Sequence, residues 1–92
     1  MNQREIQIKA KDEEMKGVYA NMAMINHTKE EFVIDFVNVL PPQGQLVSRV
    51  FMSPGHAKRL LGAIKENIKK YEENFGEIEE ADPIKKEIGF TK

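Results

Sequence analysis

Asp35 stands in the run Phe32-Val33-Ile34-Asp35-Phe36-Val37, an acid flanked on both sides by apolar residues. A carboxylate in such company needs a partner, and Arg49 in the next extended run offers a guanidinium with matching geometry. General acid–base work would also require a cleft and a companion that shifts the pKa. No nucleophile or second acid accompanies the two residues, so Asp35 and Arg49 read as a structural cross-strand ion pair. Ser53-Pro54-Gly55-His56 is the second constellation. Ser53 could be a nucleophile with His56 as base, or the turn could cradle a phosphate. It lacks the glycine density and the Lys-Ser/Thr of a phosphate-binding loop. Ser followed by Pro fits a helix start better, with Ser53 as N-cap and Pro54 in the first turn, where a missing N–H costs nothing. His56 beside that cap could bind an anion when protonated.

His27 and His56 fall in different elements, without paired acids at ligand spacing, and the chain has no cysteine. Disulfides, thiolate metal sites and cysteine nucleophiles are therefore excluded. The residues announce no catalytic group, metal site or cofactor, and the expectation is a protein that is not an enzyme. His56, Lys58, Arg59, Lys65, Lys69 and Lys70 form a basic series that is the candidate contact for a partner or a nucleic acid. Against nucleic acid stand a net charge of -1 and the interspersed Glu66, Glu72 and Glu73. Exposed aromatic residues for base stacking are also missing, since Tyr71 and Phe75 fall on an apolar stripe.

These groups must be positioned by a small framework. Ninety-two residues with 40% hydrophobic and 32% charged composition lie in the globular range and can bury only a modest core. No apolar run approaches the roughly 20 residues of a membrane span. The N-terminal residues lack the apolar stretch of a signal segment, so the expected location is the cytoplasm, away from membranes.

Ile6, Ile8 and Ala10 alternate with polar residues and predict a short edge strand within an N-terminal segment, 1–15. Lys11 to Glu14 reads as a charged loop. Val18 to Asn26 predicts a strand, and Asn26 to Glu30 a short hairpin connection. Phe32 to Leu40 is the strongest strand. Phe32, Ile34, Phe36 and Leu40 share one face, with Val33, Asp35, Val37 and Val39 on the other, so it should be central and covered on both sides. Pro41-Pro42-Gln43-Gly44 supplies a turn. Leu46 to Met52 then returns as a third long strand, with Leu46, Val50 and Met52 opposed to Val47, Arg49 and Phe51. A helix follows from Pro54 to Phe75, with Gly76 as its stop. Ala57, Leu61, Ile64, Ile68, Tyr71 and Phe75 recur at alternating intervals of four and three, the seam of a coiled coil. The run is too short to demand a free-standing one, and the stripe is expected mainly to pack on the sheet, with part of it able to reach a partner helix.

The predicted architecture is α+β: an antiparallel meander of three or four strands followed by one long C-terminal helix packed on one face. Residues 16–78 form a single domain, and 79–92 a mostly flexible acidic and polar tail. In that tail Ile84, Ile88 and Phe90 could dock on a neighbour. One helix leaves the second sheet face uncovered, and an apolar face of that size marks a binding site. A second copy is the simplest cover, so the chain is expected to be a homodimer. The leading expectation for function is a non-enzymatic protein-interaction or adaptor module with an unnamed protein partner. The alternative is a nucleic-acid-associated dimer using the basic helix face.

Three stretches carry a family resemblance: Gly17-Val18-Tyr19-Ala20-Asn21, Phe32-Val33-Ile34-Asp35-Phe36 and Met52-Ser53-Pro54-Gly55-His56-Ala57-Lys58-Arg59-Leu60-Leu61. With the helix end from Asn67 to Ile78, their ordered combination resembles a family of short bacterial and archaeal proteins of unknown function. The resemblance spans residues 16–78. It implies a complete small domain and brings no activity, cofactor or catalytic residue with it.

Overall fold

The computed structural model describes residues 5–83 and 88–91. Its elements in chain order are α1 (Asp12–Lys16), β1 (Met22–His27), β2 (Phe32–Leu40), β3 (Gln43–Met52) and α2 (Pro54–Phe75). The strands form one antiparallel sheet in the order β1-β2-β3. A three-strand antiparallel sheet followed by a long C-terminal helix is the α+β class that the periodicities predict. The chain divides into two compact units, Met1–Ala57 and Lys58–Lys92, each considered by itself below.

In the first unit, β2 is central because both of its edges are hydrogen-bonded. It also holds the buried residues Ile34, Asp35 and Val37. On one face of the sheet Ile25 lies opposite Ile34, which lies opposite Val50. On the other, Met24, Asp35 and Arg49 form a row across all three strands. The β2–β3 register shifts between Phe36 and Val37: Phe36 faces Ser48 and Val37 faces Leu46, so Val47 is the extra residue of a bulge. This corrects the simple alternation expected for β3. One added residue returns Leu46 to the face of Arg49 and Phe51 instead of that of Val50.

The first strand is shorter than its apolar alternation predicts, starting at Met22. The reason is Asn21. Its backbone N–H donates to the Val37 carbonyl at 3.1 Å. Its side-chain amide then takes both polar groups of Val39, donating to the carbonyl at 2.9 Å and accepting from the N–H at 2.8 Å. A continued β1 backbone would have used those groups, so the amide substitutes for the strand and ends it.

The edge strand expected in residues 1–15 does not form among the described residues. Residues 5–10 carry no regular structure, and the charged loop expected at Lys11 to Glu14 is instead the start of α1. Asp12, Glu13 and Glu14 favour the positive end of a helix, and the Glu14 carboxylate accepts the Lys11 N–H at 2.8 Å. Alternation over Ile6, Ile8 and Ala10 cannot make a strand without a partner edge, and all six residues from Glu5 to Ala10 are exposed. The connection from β1 to β2 closes through Thr28, whose N–H donates to the Glu31 carbonyl at 2.9 Å. Its hydroxyl accepts from the N–H groups of Glu30 and Glu31.

The helix α2 has the bounds its sequence predicts. Ser53 Oγ accepts the His56 N–H at 3.1 Å, and Gly76, at φ 94°, ends the last turn with its N–H on the Glu72 carbonyl. Residues 76–83 and 88–91 carry no helix or strand. The rest of the expected tail (84–87 and 92) lies outside the described residues, as do residues 1–4.

Both helix ends are testable. Ser53→Ala removes the cap and should lower stability by about 1 kcal/mol in urea titrations followed by circular dichroism. Gly76→Ala meets no neighbouring atom, so its cost, also about 1 kcal/mol, is that of a side chain forced to positive φ.

Candidate functional site

Asp35 and Arg49 are direct register partners on β2 and β3. The guanidinium grips the carboxylate with two parallel bonds, Nε to Oδ1 at 2.6 Å and Nη2 to Oδ2 at 2.9 Å. The Asp35 side chain is only 5% exposed while that of Arg49 is 47% exposed, so the acid lies within the sheet and the base reaches outward. The hydrogen bonds from Arg49 hold the Asp35 carboxyl below its ordinary range. Burial opposes that shift, and the guanidinium charge adds to it. The same bonds raise the Arg49 pKa. A carboxylate kept ionised with both oxygens occupied is a poor proton acceptor.

The helix start is equally architectural. Ser53 Oγ accepts from the backbone N–H of His56, and the Ser53 carbonyl receives the Ala57 N–H at 3.0 Å. Pro54 is the first residue of α2. His27 stacks on its register partner Phe32, with ring centroids 5.3 Å apart and planes 24° from parallel. Among the described residues no group of three or more histidine, cysteine or acidic side chains is placed to hold a metal ion. None of the helices there is long and apolar enough to cross a membrane.

The basic residues do not gather at one point. His56, Lys58, Arg59, Lys65, Lys69 and Lys70 are strung along α2 over roughly 20 Å at 1.5 Å per residue. Helical spacing puts Lys58, Lys65 and Lys69 on one side, next to Glu72. Arg59 and Lys70 lie further round with Glu66 and Glu73, and Lys70 pairs with Glu66 at 3.5 Å. The result is a mixed-charge surface with one lysine row.

The more distinctive surface of the second unit is apolar. Leu61, Ile64, Ile68 and Tyr71 remain between 42% and 54% exposed, and Phe75, its ring 5.0 Å from that of Tyr71, is 75% exposed. The expectation that the stripe hides its aromatic residues is thereby corrected: among the described residues no packed surface covers them. Beyond Gly76 the chain turns so that the Ile78 N–H donates to Glu72 Oε2 at 2.9 Å. Ile78 then lines a shallow groove with Ala63, Ile64, Asn67, Ile68 and Tyr71. Sequence spacing finds the stripe and its stop. It misses the return of Ile78, because that depends on a carboxylate bond formed only after the turn, and it misses the Asn21 bracket in the first unit for a similar reason.

The ion pair has a pH signature. A depressed Asp35 pKa means its stabilisation is present above the unfolded value near 4 and is lost as pH falls through the folded value. Thermal melts should therefore weaken on acidification below about pH 4, and Asp35→Asn should flatten that limb. Arg49→Leu should lower the melting temperature more than the double change Asp35→Leu/Arg49→Leu, because the single change strands a carboxylate among apolar neighbours.

No curated protein matches this sequence, and no solved structure does. A family profile matches over residues 1–80, which takes in the N-terminal residues that the motif resemblance leaves out. The chain thus belongs to the family described as "Protein of unknown function (DUF3467)".

Proposed function

We propose that this protein is a non-enzymatic, homodimeric interaction module. The observation that carries the proposal is the imbalance between buried and exposed apolar surface. Ile34 and Val37 are the buried hydrophobic residues among those described, while Val18, Tyr19, Ile25, Phe51 and the α2 stripe stand exposed. Removal of such surface from water is worth about 25 cal/mol per Å², and association offers it where one chain does not. Contiguous exposed apolar surface is the usual mark of a protein-binding face. The non-enzymatic character is supported by the engagement of Asp35, Ser53 and His27 in structural contacts.

The second reading, a dimer bound to nucleic acid, draws on the row of Lys58, Lys65 and Lys69. It is weakened by the Lys70–Glu66 pair and by the glutamates interleaved with the lysines.

Sedimentation equilibrium at micromolar concentration should return twice the chain mass, and a monomer throughout that range would refute the proposal. In gel shifts, duplex and single-stranded DNA should stay unretarded. A strong shift that weakens steeply with salt would transfer support to the nucleic-acid reading.

A further inference from the structure

We infer that the second copy docks on the apolar stripe of α2 with its own α2 running antiparallel. The inference rests on the homodimer proposed above and names its surface and orientation.

The first observation is how charge is arranged along the helix. From Pro54 to Lys65 the charged residues are Lys58, Arg59 and Lys65, with no acid. From Glu66 to Phe75 there are three glutamates, Glu66, Glu72 and Glu73, against Lys69 and Lys70. The first turn of α2 has no acidic residue and the last turn no basic one. This polarity is the reverse of what a helix favours for itself, since the N-terminal end attracts anions and the C-terminal end cations. A second helix lying antiparallel reverses the account. The basic N-terminal half of each helix then lies along the glutamate-bearing last turn of the other, and the two helix dipoles oppose.

The second observation is the fit of the stripe to itself. In an antiparallel pair the two positions of the heptad seam alternate across the interface. With the two-fold axis near Glu66, Ile64 meets Ile68 of the other copy, Leu61 meets Tyr71, and Ala57 meets Phe75. Each contact sets a smaller side chain against an equal or larger one. A parallel pair would instead set Ala57 against Ala57 and Phe75 against Phe75, leaving a gap at one end and crowding at the other. The same antiparallel register brings Lys58 beside Glu72 of the other copy, once on each side of the axis. Glu72 gives one carboxylate oxygen to the Ile78 N–H and keeps the other for that lysine. Lys65 is the one like-charged contact, meeting its own copy near the axis. The groove between Ile78 and the stripe supplies the seat for the facing side chains.

Orientation can be read with single cysteines, because the chain has none of its own. Asn67 and Asn74 occupy the same flank of the stripe, one heptad apart. In the antiparallel pair Asn67 lies next to its own copy, while Asn74 lies about 20 Å from its own along the axis. A short bis-maleimide should therefore link Asn67→Cys into covalent dimers and leave Asn74→Cys unlinked. Equal linking of both variants would overturn the antiparallel arrangement. Failure of both, in a protein that sediments as a dimer, would overturn α2 as the interface while sparing the homodimer. A monomeric wild type would overturn both proposals.

Lys58→Glu separates packing from helix stability. It places an acid near the N-terminal end of α2 and should leave helix content unchanged or higher, yet raise the dimer dissociation constant about tenfold. An unchanged dissociation constant would count against the Lys58–Glu72 contact and the register it defines.

Discussion

The structure depends on one constraint: in a three-stranded sheet, only the central strand has both edges satisfied by backbone hydrogen bonds. β2 takes that place, and the buried residues Ile34, Asp35 and Val37 all belong to it. Because a carboxylate lies among them, the sheet must bring a cation to one fixed position. Arg49 occupies it with two short bonds. A slip of one residue between β2 and β3 would send Arg49 to the opposite face and leave Asp35 ionised without a partner. The bulge at Val47 begins just beyond this pair. The ion pair therefore acts as a register pin on the near side of the bulge, and the alternation that restarts beyond it returns Leu46 to the Arg49 face.

Legibility in the sequence followed the range of the interactions. Helix α2 was readable to its ends because Ser53, Pro54 and Gly76 act within one turn of themselves. β2 was readable because apolar residues on both faces demand a central place. The partnership of Asp35 with Arg49 could be inferred from burial alone, since an acid among Val33, Ile34 and Phe36 has few ways to be tolerated. What escaped notice depended on side chains imitating backbone. Asn21 ends β1 by occupying Val39, and Glu72 draws Ile78 back by accepting its N–H. Neither bond has a periodicity. Ile6, Ile8 and Ala10 failed in the other direction: alternation describes a strand's faces but does not provide the edge with which it must pair.

What was legible of the candidate site were the Asp35–Arg49 pair and the Ser53 cap. Three of the polar side chains singled out by residue type take part in structural contacts. Asp35 gives both oxygens to Arg49, Ser53 gives its hydroxyl oxygen to a helix N–H, and the His27 ring lies against Phe32. These contacts direct attention from polar groups to apolar ones, and from the sheet to the helix.

The helix is where local and global preferences disagree. α2 has no acid in its first turn, where its own dipole favours one, and Glu72 and Glu73 but no cation in its last turn. That arrangement weakens an isolated helix by roughly a few tenths of a kcal/mol per terminal charge. Sequences tend to be consistent across levels, so a charge pattern that works against its own helix calls for a compensating contact elsewhere. Solvent alone supplies none. The antiparallel copy proposed above would supply it through the same residues that border the apolar stripe, giving the charge polarity and the exposed seam one common explanation. On that argument the helix is charged for a neighbour of opposite direction rather than for itself.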